Sequence, residues 1–130
     1  MKFIKQGKPI KNNMIIAFDY YHTLTDDKRM LQLVKLCFRQ GHQIGLISAY
    51  GDRQGSQEVY QKRVEKFLRA SDIYNLMNFI ELVHFNDQKH IARLKLEACK
   101  KHKVEVFFDD RLDVCKMLTN EGIMALQFTR

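Results

Sequence analysis

Ile15-Ile16-Ala17-Phe18-Asp19-Tyr20-Tyr21-His22-Thr23-Leu24-Thr25 decides how the rest of the chain is read. An apolar run ends abruptly in a carboxylate, and hydroxyl side chains follow at once. A short apolar run bounded by polar residues is the pattern of a buried strand. In an open parallel sheet the ligand crevice lies just beyond the carboxyl ends of the strands. Asp19 stands at such an end. A strand-end aspartate also opens turns and caps helices, so what else arrives at the same edge decides its meaning.

Working outward, the spacing predicts strands over about 14–19, 43–48, 80–85, 104–108 and 123–128. Helical faces fall between them. Met30, Leu33, Val34, Cys37 and Phe38 recur at three- and four-residue steps, with Asp26 and Asp27 as caps and Gly41 as the stop. Ser56 caps a helix over about 57–70, a short helical turn is predicted near 73–77, and Asp87 opens a helix over about 88–102. A last helix, over about 111–119, ends at Gly122. Strands that are apolar throughout and alternate with helices mean a parallel sheet covered on both faces. Right-handed crossovers make this an α/β fold, a three-layer α/β/α sandwich around a five-stranded, Rossmann-like parallel sheet.

A chain of 130 residues is expected to form one domain, 1–130, with residues 1–13 as a basic arm carrying four lysines and the only proline, Pro9. No apolar stretch has the length of a membrane span, and the N-terminus lacks a signal peptide's apolar core. Cys37, Cys99 and Cys115 are odd in number and lie in apolar helical patterns, so reduced thiols and a cytoplasmic location are expected. The net charge of +7 points to an anionic partner, a phosphorylated substrate or nucleic acid. No interleaved aromatic and basic pattern of an RNA-stacking sheet is present.

At the carboxyl edge the first strand delivers Asp19, the second Ser48 and the fourth Asp109-Asp110, while the helix after the third brings Lys89 near its start. Carboxylates held that close repel one another unless a cation neutralises them. A hard divalent ion, bound by one or two carboxylates with water and phosphate, meets that need, and Mg2+ fits.

With these residues in place, the sequence resembles the haloacid dehalogenase superfamily, most of whose members are magnesium-dependent phosphatases. Asp19-Tyr20-Tyr21-His22-Thr23-Leu24 resembles the first motif, Asp-x-Asp-x-Thr-Leu; Ser48 resembles the second; Lys89, with Lys95 as alternate, the third. Phe107-Phe108-Asp109-Asp110-Arg111 resembles the fourth, with Asp113 as an additional candidate. More loosely, the stretches 41–48 and 108–111 are similar to the phosphatase domains of phage-type polynucleotide kinase-phosphatases. The resemblance implies that Asp19 is a nucleophile forming an aspartyl-phosphate. It places magnesium on Asp19, the Tyr21 backbone carbonyl, Asp110 and a phosphate oxygen. Ser48 and Lys89 hold the remaining oxygens, Asp109 orients Lys89 or a metal-bound water, and Thr23 stabilises the loop. Arg53 and Arg111 are the basic residues best placed for further phosphate contact.

Two positions depart from the family. His22 stands where glycine is usual. Tyr21 stands where the family's phosphatases carry a second aspartate that protonates the leaving group and then activates water. A phenol is a poor base near neutral pH, and general acid–base help is typically worth roughly 10²–10⁴-fold. Slow turnover is expected unless His22, Asp26 or another residue substitutes. The alternative is a catalytically impaired relative that binds a phosphorylated or nucleic-acid partner. Asp-x-Tyr-x-Thr-Leu also resembles the first motif of the true dehalogenases, but those carry a cap domain and lack the double aspartate. The 29 positions from Asp19 to Ser48 leave room for one helix and no cap. A receiver-like domain is disfavoured because the nucleophile lies on strand one. A capless site is open and suits a phosphorylated macromolecule.

Overall fold

The computed structural model describes residues 13–128; the expected basic arm lies outside them apart from Asn13. Five strands form one sheet: β1 (Ile15–Phe18), β2 (Gln43–Tyr50), β3 (Met77–His84), β4 (Val106–Asp109) and β5 (Met124–Gln127). All neighbours pair parallel, in the order β3-β2-β1-β4-β5. The helices are α1 (Lys28–Arg39), α2 (Gln57–Ala70), α3 (Ile91–Lys101) and α4 (Leu112–Asn120). On one face of the sheet, Val34 of α1 and Tyr60, Val64 and Leu68 of α2 pack against Phe18, Ile44 and Leu46. On the other, Ile91, Leu96 and Cys99 of α3 and Val114 and Leu118 of α4 pack against Ala17, Ile47 and Phe107. The three layers expected from the alternation of elements are present. No helix among the described residues is long and apolar enough to cross a membrane.

Local chemistry sets the helix ends. The Asp27 carboxylate accepts the Arg29 N–H at the start of α1, and Ser56 Oγ accepts the Val59 N–H at the start of α2. After α1 the chain turns through Gly41 at φ 92°, a conformation that glycine adopts without a side-chain clash. Two boundaries differ from the spacing-based ones in ways that matter for the site. β2 runs on through Ala49 and Tyr50, so Ser48 lies inside the strand and not at its end. Residues 88–90 form a tight 3-10 turn, and α3 begins only at Ile91.

From β1 the chain builds outward to β2 and β3, then crosses back to place β4 on the other side of β1. The strand order therefore reverses between β1 and β4, where open α/β sheets form their ligand crevice. Phe18 is in register with Phe108, and their rings stack 4.8 Å apart. The Asp19 N–H donates to the Phe108 carbonyl at 2.8 Å. Asp19 and Asp109 thus follow paired residues and emerge side by side.

Packing is close where β2 carries Gly45 beside β3. A side chain at Gly45 would collide with the ring of Phe79, which is itself stacked on His102 at 3.9 Å. Gly45→Ala is expected to lower stability by about 1–3 kcal/mol, read as a fall in the urea midpoint with an unchanged slope.

Candidate active site

Lys95 is the centre of the cluster at the strand ends. Its ammonium donates to Asp19 Oδ1 at 2.9 Å and to Asp109 Oδ2 at 2.7 Å, and all three residues are buried. The side chain reaches this point because Lys95 lies four residues after Ile91, on the face of α3 that packs on the sheet. Asp19 and Asp109 point to the same side, continuing the alternation through Ala17 and Phe107. Thr23, fully buried, donates from Oγ1 to Asp19 Oδ2 at 3.2 Å. The other Asp109 oxygen, Oδ1, accepts the Arg111 N–H at 2.9 Å.

Asp110 completes the group: one carboxylate oxygen each from Asp19, Asp109 and Asp110 lies within 4.8 Å of the others. Three carboxylates share one ammonium, so the cluster is short of positive charge. Burial, reinforced by Asp109 and Asp110 and only partly offset by Lys95, pushes the Asp19 carboxyl up to about 7. Burial also pushes Asp109 up, against the pull of Lys95. For Lys95 burial favours the neutral amine, but the two carboxylates outweigh it and hold the ammonium charged. Burial is the largest influence on all three groups, and only the ammonium has partners enough to overcome it. A divalent cation beside Asp19 and Asp110 would supply the deficit, and an all-oxygen donor set suits a hard cation.

The site opens into a cleft of about 290 Å³ lined by Asp19, Tyr21, His22, Lys95, Asp110 and Arg111, among others. Arg111 is tied to Asp113 by two hydrogen bonds of 3.0 and 2.9 Å, which fixes its guanidinium at the wall. Tyr21 is 57% exposed, and its ring lies 4.0 Å from that of His22. His22 has φ 62°, a left-handed backbone conformation. Residues 19–27 lead from β1 directly into α1, and residues 85–90 lead from β3 into α3, with no inserted domain.

Three of the sequence-derived residues fall elsewhere. Lys89 is exposed on the turn before α3, 3.8 Å from Asp87, because the helix begins at Ile91, about three residues later than the spacing predicts. The lysine at the carboxylates is the alternate, Lys95. Ser48 is fully enclosed, and its hydroxyl is hydrogen-bonded to that of Tyr60 at 2.7 Å, on the α2 side of the sheet. Burial pushes the Tyr60 phenol up to about 12, so the pair is neutral. Arg53 is exposed and lines an adjoining cleft of about 440 Å³, which shares Gln54, Phe85 and Gln88 with the first. At the end of α3, Lys100 pairs with Glu121, and Lys101 and His102 with Glu81. Sequence reasoning missed Tyr60, which gave no signal beyond its place in an apolar face. All three cysteines are free thiols.

No protein-family model matches the sequence, and no curated protein does. Similar folds occur among solved structures. A chain of a Pnkp1/Rnl/Hen1 complex aligns with a TM-score of 0.66 and 17% identity over 93% of this chain, which spans 47% of that one. The core domain of a putative phosphoglycolate phosphatase from Streptococcus pneumoniae TIGR4 aligns at 0.55 and 13%, covering 92% of this chain and 82% of that one. A universal stress protein family member from Burkholderia pseudomallei aligns at 0.59 and 11%, covering 92% and 96%. These likenesses establish a fold shared with a phosphatase core domain and with proteins of other kinds.

The two lysines separate cleanly by experiment. Lys95→Met leaves two buried carboxylates without their ammonium and is expected to cost about 3–5 kcal/mol, whereas Lys89→Met stays within about 0.5 kcal/mol of wild type; chemical denaturation measures both. Divalent-ion affinity is expected to fall as pH drops below about 7, because Asp19 then holds a proton that the ion must displace. Calorimetry in buffers of different ionisation enthalpy should show proton release on binding at pH 6, and none well above pH 7.

Proposed function

We propose that this chain is a magnesium-dependent phosphohydrolase acting through an aspartyl-phosphate on Asp19. The observation that carries the reading is the position of the Asp19 carboxylate: it lines the switch-point cleft, fixed by Lys95 and Thr23, with Asp110 beside it. A structural ion pair has no need of a third carboxylate and an open cleft in front of it.

Lys95 and Thr23 hold the carboxylate in one orientation, so that its reactive oxygen meets phosphorus along the line of the leaving group. Attack forms the Asp19 O–P bond as the P–O bond to the leaving group breaks, and water then cleaves the acyl phosphate and frees Asp19. Asp109 keeps Lys95 in place through its 2.7 Å hydrogen bond. Arg111 stands at the wall for the non-bridging oxygens. A divalent cation held by Asp19 and Asp110 would supply the missing positive charge and polarise the phosphoryl group. The net charge of +7 and a cleft without an inserted domain favour a phosphorylated macromolecule, with a nucleic-acid phosphate end as the first substrate to try.

The test is phosphate release from an aryl phosphate and from a 3′-phosphorylated oligonucleotide, with and without magnesium. Magnesium-dependent release that falls to background in Asp19→Asn is the expected result. Magnesium with beryllofluoride should also raise the melting temperature of wild type and not of Asp19→Asn. Ligand-induced stabilisation without turnover on any phosphoester would instead favour the binding-protein alternative.

A further inference from the structure

We infer that His22, oriented by Asp26, is the proton-transfer residue that takes over from the carboxylate missing at position 21. This rests on the phosphohydrolase reading above and names the group that reading lacks. Of the ionisable side chains lining the cleft, Asp19 is the nucleophile, Lys95 is held by two carboxylates and Arg111 by Asp113. Asp110 belongs to the acidic cluster. Tyr21 and His22 remain, and of the two only His22 has its ring held by a neighbouring carboxylate, Asp26, at 3.2 Å.

The loop is shaped around that imidazole. His22 adopts φ 62°, a left-handed conformation that costs a non-glycine residue roughly 1–2 kcal/mol. Its N–H donates to Thr25 Oγ1 at 3.1 Å, and Thr25 Oγ1 donates to Asp26 Oδ1 at 3.0 Å. The other Asp26 oxygen meets His22 Nδ1 at 3.2 Å. Asp26 therefore fixes the ring and places the Nδ1 proton toward itself. His22 lines the cleft, and no hydrogen bond to its Nε2 is found among the described residues. A side chain kept at a strained position by three coupled hydrogen bonds, in the wall of the reacting site, is the kind of outlier that marks a functional group.

The proton balance closes. As Asp19 attacks and the P–O bond breaks, His22 Nε2–H passes its proton to the leaving oxygen. Neutral His22 then takes a proton from the water that attacks the acyl phosphate, which releases inorganic phosphate and restores the starting ring.

Asparagine tolerates the left-handed backbone and cannot transfer a proton, so His22→Asn is the variant of choice, with Asp26→Asn beside it. Substrates are aryl phosphates of graded leaving-group acidity, and the phosphoenzyme is measured by intact mass after acid quench. His22→Asn should lose on the order of 10²-fold in kcat on poor leaving groups and much less on good ones. With good leaving groups it should accumulate phosphoenzyme, because dephosphorylation now lacks its base. Tyr21→Asp should restore turnover to His22→Asn. Wild-type activity with an unchanged leaving-group dependence in folded His22→Asn overturns this assignment alone. An equal loss on all substrates, without phosphoenzyme accumulation or rescue by Tyr21→Asp, shows a purely structural role and also overturns it. A wild type that neither turns over nor forms a phosphoenzyme removes the phosphohydrolase reading and this role with it.

Discussion

One ammonium between two buried carboxylates is the constraint on which the rest of the cluster depends. Lys95 has only 3% of its side chain exposed, Asp19 5% and Asp109 none. Groups so enclosed are tolerated only when each charge has partners. The geometry that provides them uses three elements at once: α3 brings the lysine, β1 and β4 the two carboxylates. Register completes the arrangement, because pairing Phe18 with Phe108 sets the two aspartates abreast. A one-residue slip of β4 would turn Asp109 to the opposite face. Correct pairing of the sheet's centre and formation of the charged site are therefore one event.

The same cluster is built to a deficit. Burial and mutual repulsion of the carboxylates exceed what one lysine offsets, and Asp19 bears the difference. A fold selected for stability alone would gain by replacing the whole charged group with well-packed apolar residues. Keeping all three, at the point where the strand order reverses and the surface opens, is the feature that separates this edge from an ordinary ion pair. The loop at Tyr21 and His22 adds a second local cost, the left-handed backbone at a β-carbon-bearing residue. Both costs fall within a few residues of each other.

Much of this was legible in the sequence, and the misses have physical causes. The strands stood out because a sheet covered on both faces needs continuous apolar runs, and Asp19, Asp109 and Asp110 stood out as acids that end such runs. Ser48 misled because a hydroxyl after apolar residues looks like a strand terminus. Tyr50 packs its ring 5.2 Å from Tyr60 and carries the strand two residues further, which encloses Ser48. Lys89 misled because helix starts are hard to place. Periodicity held the answer: Ile91 plus four is Lys95, a charged residue on an apolar face. The Ser48–Tyr60 contact joins a strand to a helix twelve residues on, and no spacing rule announces it.

The wiring of the sheet has a consequence for how the molecule assembles. β1 is central, yet one of its two neighbours, β4, is synthesised late, and Lys95 stands 76 residues from Asp19 in sequence. Loop closure over such separations slows folding. During synthesis, β1 through β3 can pair while one edge of β1 stays open and Asp19 remains hydrated. Only when α3 and β4 arrive does that edge close and the acid go under. Translation order thus delivers the acid's ammonium partner well after the acid itself, and an unpaired apolar strand edge is the kind of surface on which chains aggregate.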